Sequence, residues 1–290
     1  MRDNFAILVI TNGRPDNVHT VQSLRTAGYT GRVYYIVDDE DPTLDRYLAN
    51  YGDEVIVFSK EEISQQFDAG DQEPDRRTSV YARNACWQIA AELGLEFFGI
   101  FDDDYTHFHY RWVGRKNGNK IAQYHGWVTR RMDHHIESLI LFMEHTPTAS
   151  TVAMAQGGDG VGGRKGDMAR IRFKRKAMNS FICRTSTPFM FVGRLNEDVT
   201  SYVWRGSTGQ LFFTFSPLQL EQLATQNNEG GITDVYRESG TYLKTFYTIM
   251  WSPSTVKLSL IGVTDQRLHH RVNWDTAVPK IMHETTRRSA

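Results

Sequence analysis

Six consecutive apolar positions, Phe5 to Ile10, open the ordered part of the chain and predict a strand buried on both faces. Thr11-Asn12-Gly13-Arg14-Pro15 follows as a turn. Asp16 is placed to cap a helix with Val18, Val21 and Leu24 on one face, and Gly28 ends it. Val33 to Val37 predicts a second strand, closed by Asp38-Asp39-Glu40. A short helix with Leu44, Tyr47, Leu48 and Tyr51 on its face stops at Gly52, and Glu54 to Phe58 predicts a third strand. Strand–helix–strand–helix–strand order implies parallel pairing through crossovers, hence a Rossmann-like half.

The polar stretch from Gln65 to Arg77 predicts a loop. Thr78 or Ser79 then caps a helix with an inner face of Ala82, Cys86, Ile89 and Leu93 and a stop at Gly94; Arg83 and Asn84 fall off that face. Leu95 to Phe101 predicts another buried strand, and Asp102-Asp103-Asp104 closes it. Farther on, Ile136, Leu139, Ile140 and Met143 mark the core face of a helix over Asp133 to His145. Thr151–Ala155, Phe189–Leu195, Gln210–Phe215 and Val256–Ile261 predict strands, and Thr233 is placed to cap a helix carrying Val235, Leu243, Phe246 and Met250. The expected fold class is α/β, with a central mixed sheet flanked by helices. One domain over residues 1–290 is expected, residues 1–105 forming roughly a nucleotide-binding half and 106–290 an acceptor-binding half.

Composition narrows the function. With 40% hydrophobic and 23% charged residues the 290-residue chain can bury a sizeable core. Its net charge of -1 means that any nucleic-acid binding must come from a local patch. Two distant cysteines, Cys86 and Cys183, give neither a Cys-based zinc site nor a disulfide framework. No signal-peptide pattern precedes Phe5 and no apolar run reaches membrane-spanning length, so a cytoplasmic location (the host cytoplasm if phage-encoded) without a membrane partner is expected.

The candidate chemistry lies at strand ends. In extended backbone Asp102 and Asp104 point one way and Asp103 the other, so two carboxylates make a hard oxygen site for Mg²⁺ or Mn²⁺. In a parallel sheet this acidic end shares one edge with Thr11 to Arg14 and with Asp38-Asp39, which makes a nucleotide cleft. The turn after the first strand lacks G-x-G-x-x-G; Gly158 to Gly163 matches it but leads into a basic stretch and reads as a glycine loop. No P-loop and no C-x-x-C are present. Arg164, Lys165, Arg170, Arg172, Lys174, Arg175 and Lys176 follow against the single Asp167, a phosphate-tracking patch for a nucleic-acid acceptor or else a solvated strand. Asn196-Glu197-Asp198 supplies a second carboxylate pair, either member a possible general base, and His269-His270 sits between basic residues near the end.

Taken together, the D-x-D at a strand end, the Leu195-Asn196-Glu197-Asp198-Val199-Thr200 stretch and the tail from His269-His270 through Trp274 to Pro279-Lys280-Ile281 resemble a GT-A-type glycosyltransferase. More narrowly they resemble the TET-associated glycosyltransferases, a group that includes the base J glucosyltransferases. The resemblance implies a UDP-sugar donor and a hydroxymethylated pyrimidine in DNA as acceptor. It implies a Mn²⁺ or Mg²⁺ ion held by Asp102, Asp104 and one of His269 and His270. It implies nucleotide contacts from Thr11, Asn12, Arg14, Asp38, Asp39, Arg83, Asp102 and Asp103, and Asp198, beside Glu197, as the base of an inverting displacement. The rival expectations are a protein or polysaccharide acceptor, and a non-catalytic DNA-binding module on the same fold.

Overall fold

The computed structural model describes residues 1–116, 119–128, 130–156, 171–172, 179–223, 242–261 and 267–277. Strands β1 (Phe5–Ile10), β2 (Arg32–Asp38), β3 (Val55–Phe58) and β4 (Phe97–Asp102) pair in parallel in the order β3-β2-β1-β4. Helices α1 (His19–Thr26), α2 (Leu44–Tyr51), α3 (Lys60–Ser64) and α4 (Val80–Glu92) connect them. This is the expected Rossmann-like half, and β1, buried at every position, is central to it.

The sheet then becomes mixed. Strand β5 (Tyr105–Lys116) forms a hairpin with β6 (Asn119–Trp127), and helix α5 (Met132–His145) leads to β7 (Ala149–Gln156). Past β8 (Ile171–Arg172) and β9 (Ser180–Arg184), helix α6 (Glu197–Ser207) precedes the long β10 (Leu211–Gln222). The main sheet runs β3-β2-β1-β4-β9-β7-β10-β5-β6, with β8 on β10; β9 is antiparallel to both β4 and β7. Helix α7 (Leu243–Trp251), a separate hairpin of β11 (Val256–Ile261) and β12 (Arg267–Val272), and the short α8 (Trp274–Ala277) complete the described chain. Among the described residues no helix is long and apolar enough to cross a membrane.

Two core layers flank the sheet. Phe5, Ile7, Val9, Phe97, Phe101 and Phe108 pack with α1 and α5 on one face. Ala6, Leu8, Ile10, Phe98 and Ile100 pack with α4 and α6 on the other. Each such Phe, Leu, Ile or Val side chain stabilises the fold by roughly 1.5–3 kcal/mol on full burial. Gly28 ends α1 as expected, with φ +88° and the Arg130 backbone so close that a Cβ would lie 2.4 Å from its Cα; any side chain there would displace the entry to α5.

Four local expectations are corrected. Asp16 does not cap α1, which starts at His19 without a side-chain cap; Asp16 pairs with Arg46 and accepts from Asn50 instead. Helix α3, capped by Ser59, was not expected. Phe189–Leu195 is buried but is not a strand, because side chains serve its backbone: Asn84 bonds both the N–H and the C=O of Phe191, and Ser201 accepts from the Val192 N–H. Arg83 and Asn84 are therefore not off the buried face of α4; both are almost fully buried, since this segment covers the outer side of the helix.

Lys60, from the unexpected helix, closes the end of β2. Its Nζ lies 2.7 Å from Asp38 Oδ1 with both side chains buried, and Asn12 Nδ2 donates to Asp38 Oδ2 at 2.9 Å. Lys60→Met leaves the Asp38 carboxylate buried without its cation and is expected to cost about 3–5 kcal/mol in urea unfolding. A loss below ~1 kcal/mol would show that the pair is solvated.

Candidate active site

The acidic turn is built from its backbone outward. Thr20 of α1 grips it three times: its hydroxyl donates to Asp102 O at 2.6 Å and accepts from the Tyr105 N–H at 2.9 Å, and its N–H donates to Asp103 O at 3.1 Å. The buried Tyr105 hydroxyl donates to the Asn179 carbonyl and accepts from the Asp102 N–H at 3.1 Å. The strand stops at Asp102, and residues 103–104 form a turn.

The three carboxylates then diverge. Asp103, 5% exposed, faces the nucleotide half, where Thr11 Oγ1 donates to Oδ2 at 2.7 Å and Arg14 Nη1 reaches Oδ1 at 2.9 Å. Thr11 is held in turn by the Tyr47 hydroxyl, which also accepts from the Arg14 N–H. Asp102 faces α4, where Arg83 Nη2 donates to Oδ1 at 2.8 Å. Asp104 Oδ1 is buried without a hydrogen-bond partner.

Across the cleft, Asn196 adopts a left-handed conformation (φ 59°), which asparagine tolerates, and turns the chain into α6. Glu197 and Asp198 fill its first turn, where the helix dipole favours negative charge. Glu197 Oε1 accepts from Arg83 Nε at 2.9 Å and from Ser79 Oγ at 2.5 Å. Asp198 accepts from the Val199 N–H at 2.7 Å. Arg83, 3% exposed, therefore ties Asp102 to Glu197, and its Nη1 is buried without a partner. Burial works against its charge, but Asp102, Glu197 and Asp198 outweigh burial and hold its pKa above the ordinary guanidinium value.

Crowding shows in the carboxylates. Burial, then the charges of Asp103, Glu197 and Asp198, pushes Asp102 up to about 7 despite Arg83. Burial and the neighbouring Asp102 and Asp103 push Asp104 up to about 8. Asp103 is also raised by burial, against the pull of Arg14.

The expected residues thus gather unevenly. Thr11, Arg14, Arg83, Asp102, Asp103, Asp104, Glu197 and Asp198 form one charged network, with Asn12 and Asp38 adjoining it. Asp39 accepts from the Lys60 N–H at the next strand end. His270 is buried with Nδ1 3.5 Å from Asn196 Nδ2, and His269 stacks on it at 4.2 Å. Among the described residues no group of three His, Cys, Asp or Glu side chains stands ready to hold a metal ion. The two crowded aspartates, one with an unpartnered buried oxygen, nevertheless fit a hard divalent cation. The glycine loop, the basic residues Arg164 to Lys176 save the backbone of Arg172, and Thr233 and Val235 lie outside the described residues.

Sequence reasoning missed Ser79 as a partner of Glu197, Tyr47 as the support of Thr11, and Arg194. Buried Arg194 binds Asp71 at 3.0 Å and the Tyr247 hydroxyl at 3.1 Å, pinning the 65–77 loop next to Asn196. Only the polar run before Ser79, with its Asp71 and Asp75, hinted at that contact.

Carboxylates from β4 and α6 thus converge on the carboxyl edge of a Rossmann-like mixed sheet. The family model described as TET-Associated Glycosyltransferase matches residues 5–231, and the chain belongs to that family; it is an enzyme, a glycosyltransferase. The match spans the candidate residues from Thr11 to Asp198 and stops short of His269. No curated protein matches. Among solved structures, the chain is similar to S. aureus TarS 1-349 in complex with UDP-GlcNAc (12% identity, TM-score 0.43, 84% of this chain and 66% of that one). It is also similar to S. aureus TarS (13%, 0.42, 83% and 39%) and to the mannosyltransferase PcManGT from Pyrobaculum calidifontis in complex with GDP-Man and Mn2+ (10%, 0.44, 87% and 72%). The chain spans just under two thirds of the first of these and well under half of the second.

Proposed function

We propose that the protein transfers a sugar from a UDP-sugar to the hydroxymethyl group of a 5-hydroxymethylpyrimidine in DNA, with 5-hydroxymethylcytosine the leading acceptor, by a divalent-metal-dependent displacement with inversion. The observation that carries the proposal is the Asp102–Arg83–Glu197 tie, which locks the donor edge of the sheet to the helix turn bearing Asp198.

Asp102 and Asp104 would hold Mn²⁺ or Mg²⁺, with one of His269 and His270 as a further ligand. Such an ion supplies charge stabilisation for the leaving diphosphate. Thr11, Asn12, Arg14 and the Asp38-Asp39 strand end line the edge where the nucleotide would lie. Asp198 takes the proton from the acceptor hydroxyl; the acceptor oxygen attacks the anomeric carbon from the face opposite the diphosphate; the carbon–oxygen bond to the diphosphate breaks and UDP leaves with that electron pair. Glu197, engaged by Ser79 and Arg83, orients the pair and is not the base. The DNA acceptor is supported by the family's TET association and by seven basic residues between Arg164 and Lys176.

The test is a nucleoside mass measurement. Incubation with Mn²⁺, mixed UDP-sugars and DNA containing 5-hydroxymethylcytosine or 5-hydroxymethyluracil should give a hexose- or acetylhexosamine-sized gain after digestion. UDP-sugar hydrolysis without any gain on DNA would remove the acceptor assignment and keep the transferase.

A further inference from the structure

The catalytic face of the sheet continues beyond the acidic turn. Phe108 packs into the same core layer as Phe97 and Phe101, so by strand alternation its neighbours His107 and His109 emerge on the opposite face, where Asp102 meets Arg83. Cross-strand pairing puts Glu221 beside His107, Gln219 beside His109, and Trp127 on the other flank of His109. His109 Nε2 lies 2.8 Å from Glu221 Oε2.

On this polar floor stands one large apolar ring. Trp127 is 59% exposed, with the His107 ring perpendicular to it at 4.0 Å and the His109 ring at 5.1 Å. Its contact with His107 brings the indole to within three residues of Asp104, about 10 Å along the strand. Independently, Gln219 is 6% exposed and its Oε1 is buried without a partner, a costly state unless something donates to it. Strand β8 meanwhile pairs the backbone of Arg172 with Thr214 of β10.

We infer that Trp127 is the acceptor platform: a nucleobase of the acceptor strand stacks flat on the indole, and the floor beneath it, Gln219 included, answers the base's polar edge. This rests on the DNA-modifying reading above and adds the surface that selects the acceptor. A stacked base must leave the duplex or come from a single strand, and stacking on tryptophan is tolerant of which base it is. The Trp127 ring supplies a contact that salt does not weaken.

The experiment compares wild type, Trp127→Ala and Trp127→Phe on a single-stranded oligonucleotide bearing hydroxymethylcytosine, using anisotropy over a salt series and steady-state transfer. Trp127→Ala is expected to raise the DNA Kd and the acceptor KM about tenfold or more, leaving the salt slope, the donor KM and acceptor-free UDP-sugar hydrolysis unchanged. Trp127→Phe should stay within about threefold of wild type. If Trp127→Ala binds DNA like wild type, the platform is overturned and the DNA reading stands; if wild type neither binds nor modifies DNA, both fall. A measurement without any variant complements these. Bromodeoxyuridine-containing DNA irradiated on wild-type protein should crosslink to the peptide carrying Trp127, and crosslinks confined to other peptides would overturn the assignment.

Discussion

Asp104→Ala is expected to lower sugar transfer by about three orders of magnitude and to abolish thermal stabilisation by Mn²⁺, because a cation on the leaving diphosphate is worth several kcal/mol in the transition state. Chelation of wild type should reproduce the loss. The pH dependence separates this site from an ordinary acidic turn. Asp102 and Asp104 are pushed up to about 7 and about 8 in the fold, against ordinary values near 3.9. Cation binding needs both ionised, so Mn²⁺ affinity should climb between pH 6 and 8 and release protons as it forms.

Stability without the cation runs the other way. A carboxyl whose folded pKa is raised binds more protons in the native than in the unfolded state between the two values. The cation-free protein should therefore lose stability as pH rises from about 4 through about 8. Asp104→Asn removes part of that slope and should raise the melting temperature of the cation-free protein at pH 8 while destroying activity. A variant that keeps both its activity and its Mn²⁺ response would remove the acidic turn from the site.

Asp198→Asn carries the second large effect. Loss of a positioned general base should lower kcat by about 10²–10⁴-fold, with the donor KM nearly unchanged. Asparagine can still accept the Val199 N–H, so α6 keeps its first turn. Glu197→Gln should differ in kind. It keeps the shape but weakens the bonds from Arg83 and Ser79, loosening the tie to Asp102; a smaller fall in kcat is expected, together with a raised donor KM and a lower melting temperature. If the two variants exchange these signatures, Glu197 is the base.

Much of this fold is legible because burial leaves a periodic trace. Phe5–Ile10 and Phe97–Phe101 are apolar without interruption because they run through the middle of a parallel sheet with helices on both faces. Phe189–Leu195 has the same composition and misleads, because Asn84, more than a hundred positions earlier, takes the hydrogen bonds that a strand neighbour would have made. Helix α4 misleads for a related reason: packed on its outer side as well as its inner one, it buries polar residues that a one-faced pattern assigns to solvent.

The sequence by itself determined the parallel pairing of the first half, the acidic residues at its carboxyl edge and, through its motifs, the family. The first two are written in local runs of side chains whose periodicity follows directly from backbone geometry. Tertiary structure alone decided the division of labour among those carboxylates. Asp103 is claimed by Thr11 and Arg14, Glu197 by Ser79 and Arg83, and Asp104 keeps a buried oxygen unengaged, because only packing brings β4, α4 and α6 to one point. Lys60 on Asp38 and Trp127 above His107 belong to the same class. A charge partner or a stacking surface is made by residues far apart in the chain, and no local pattern announces it.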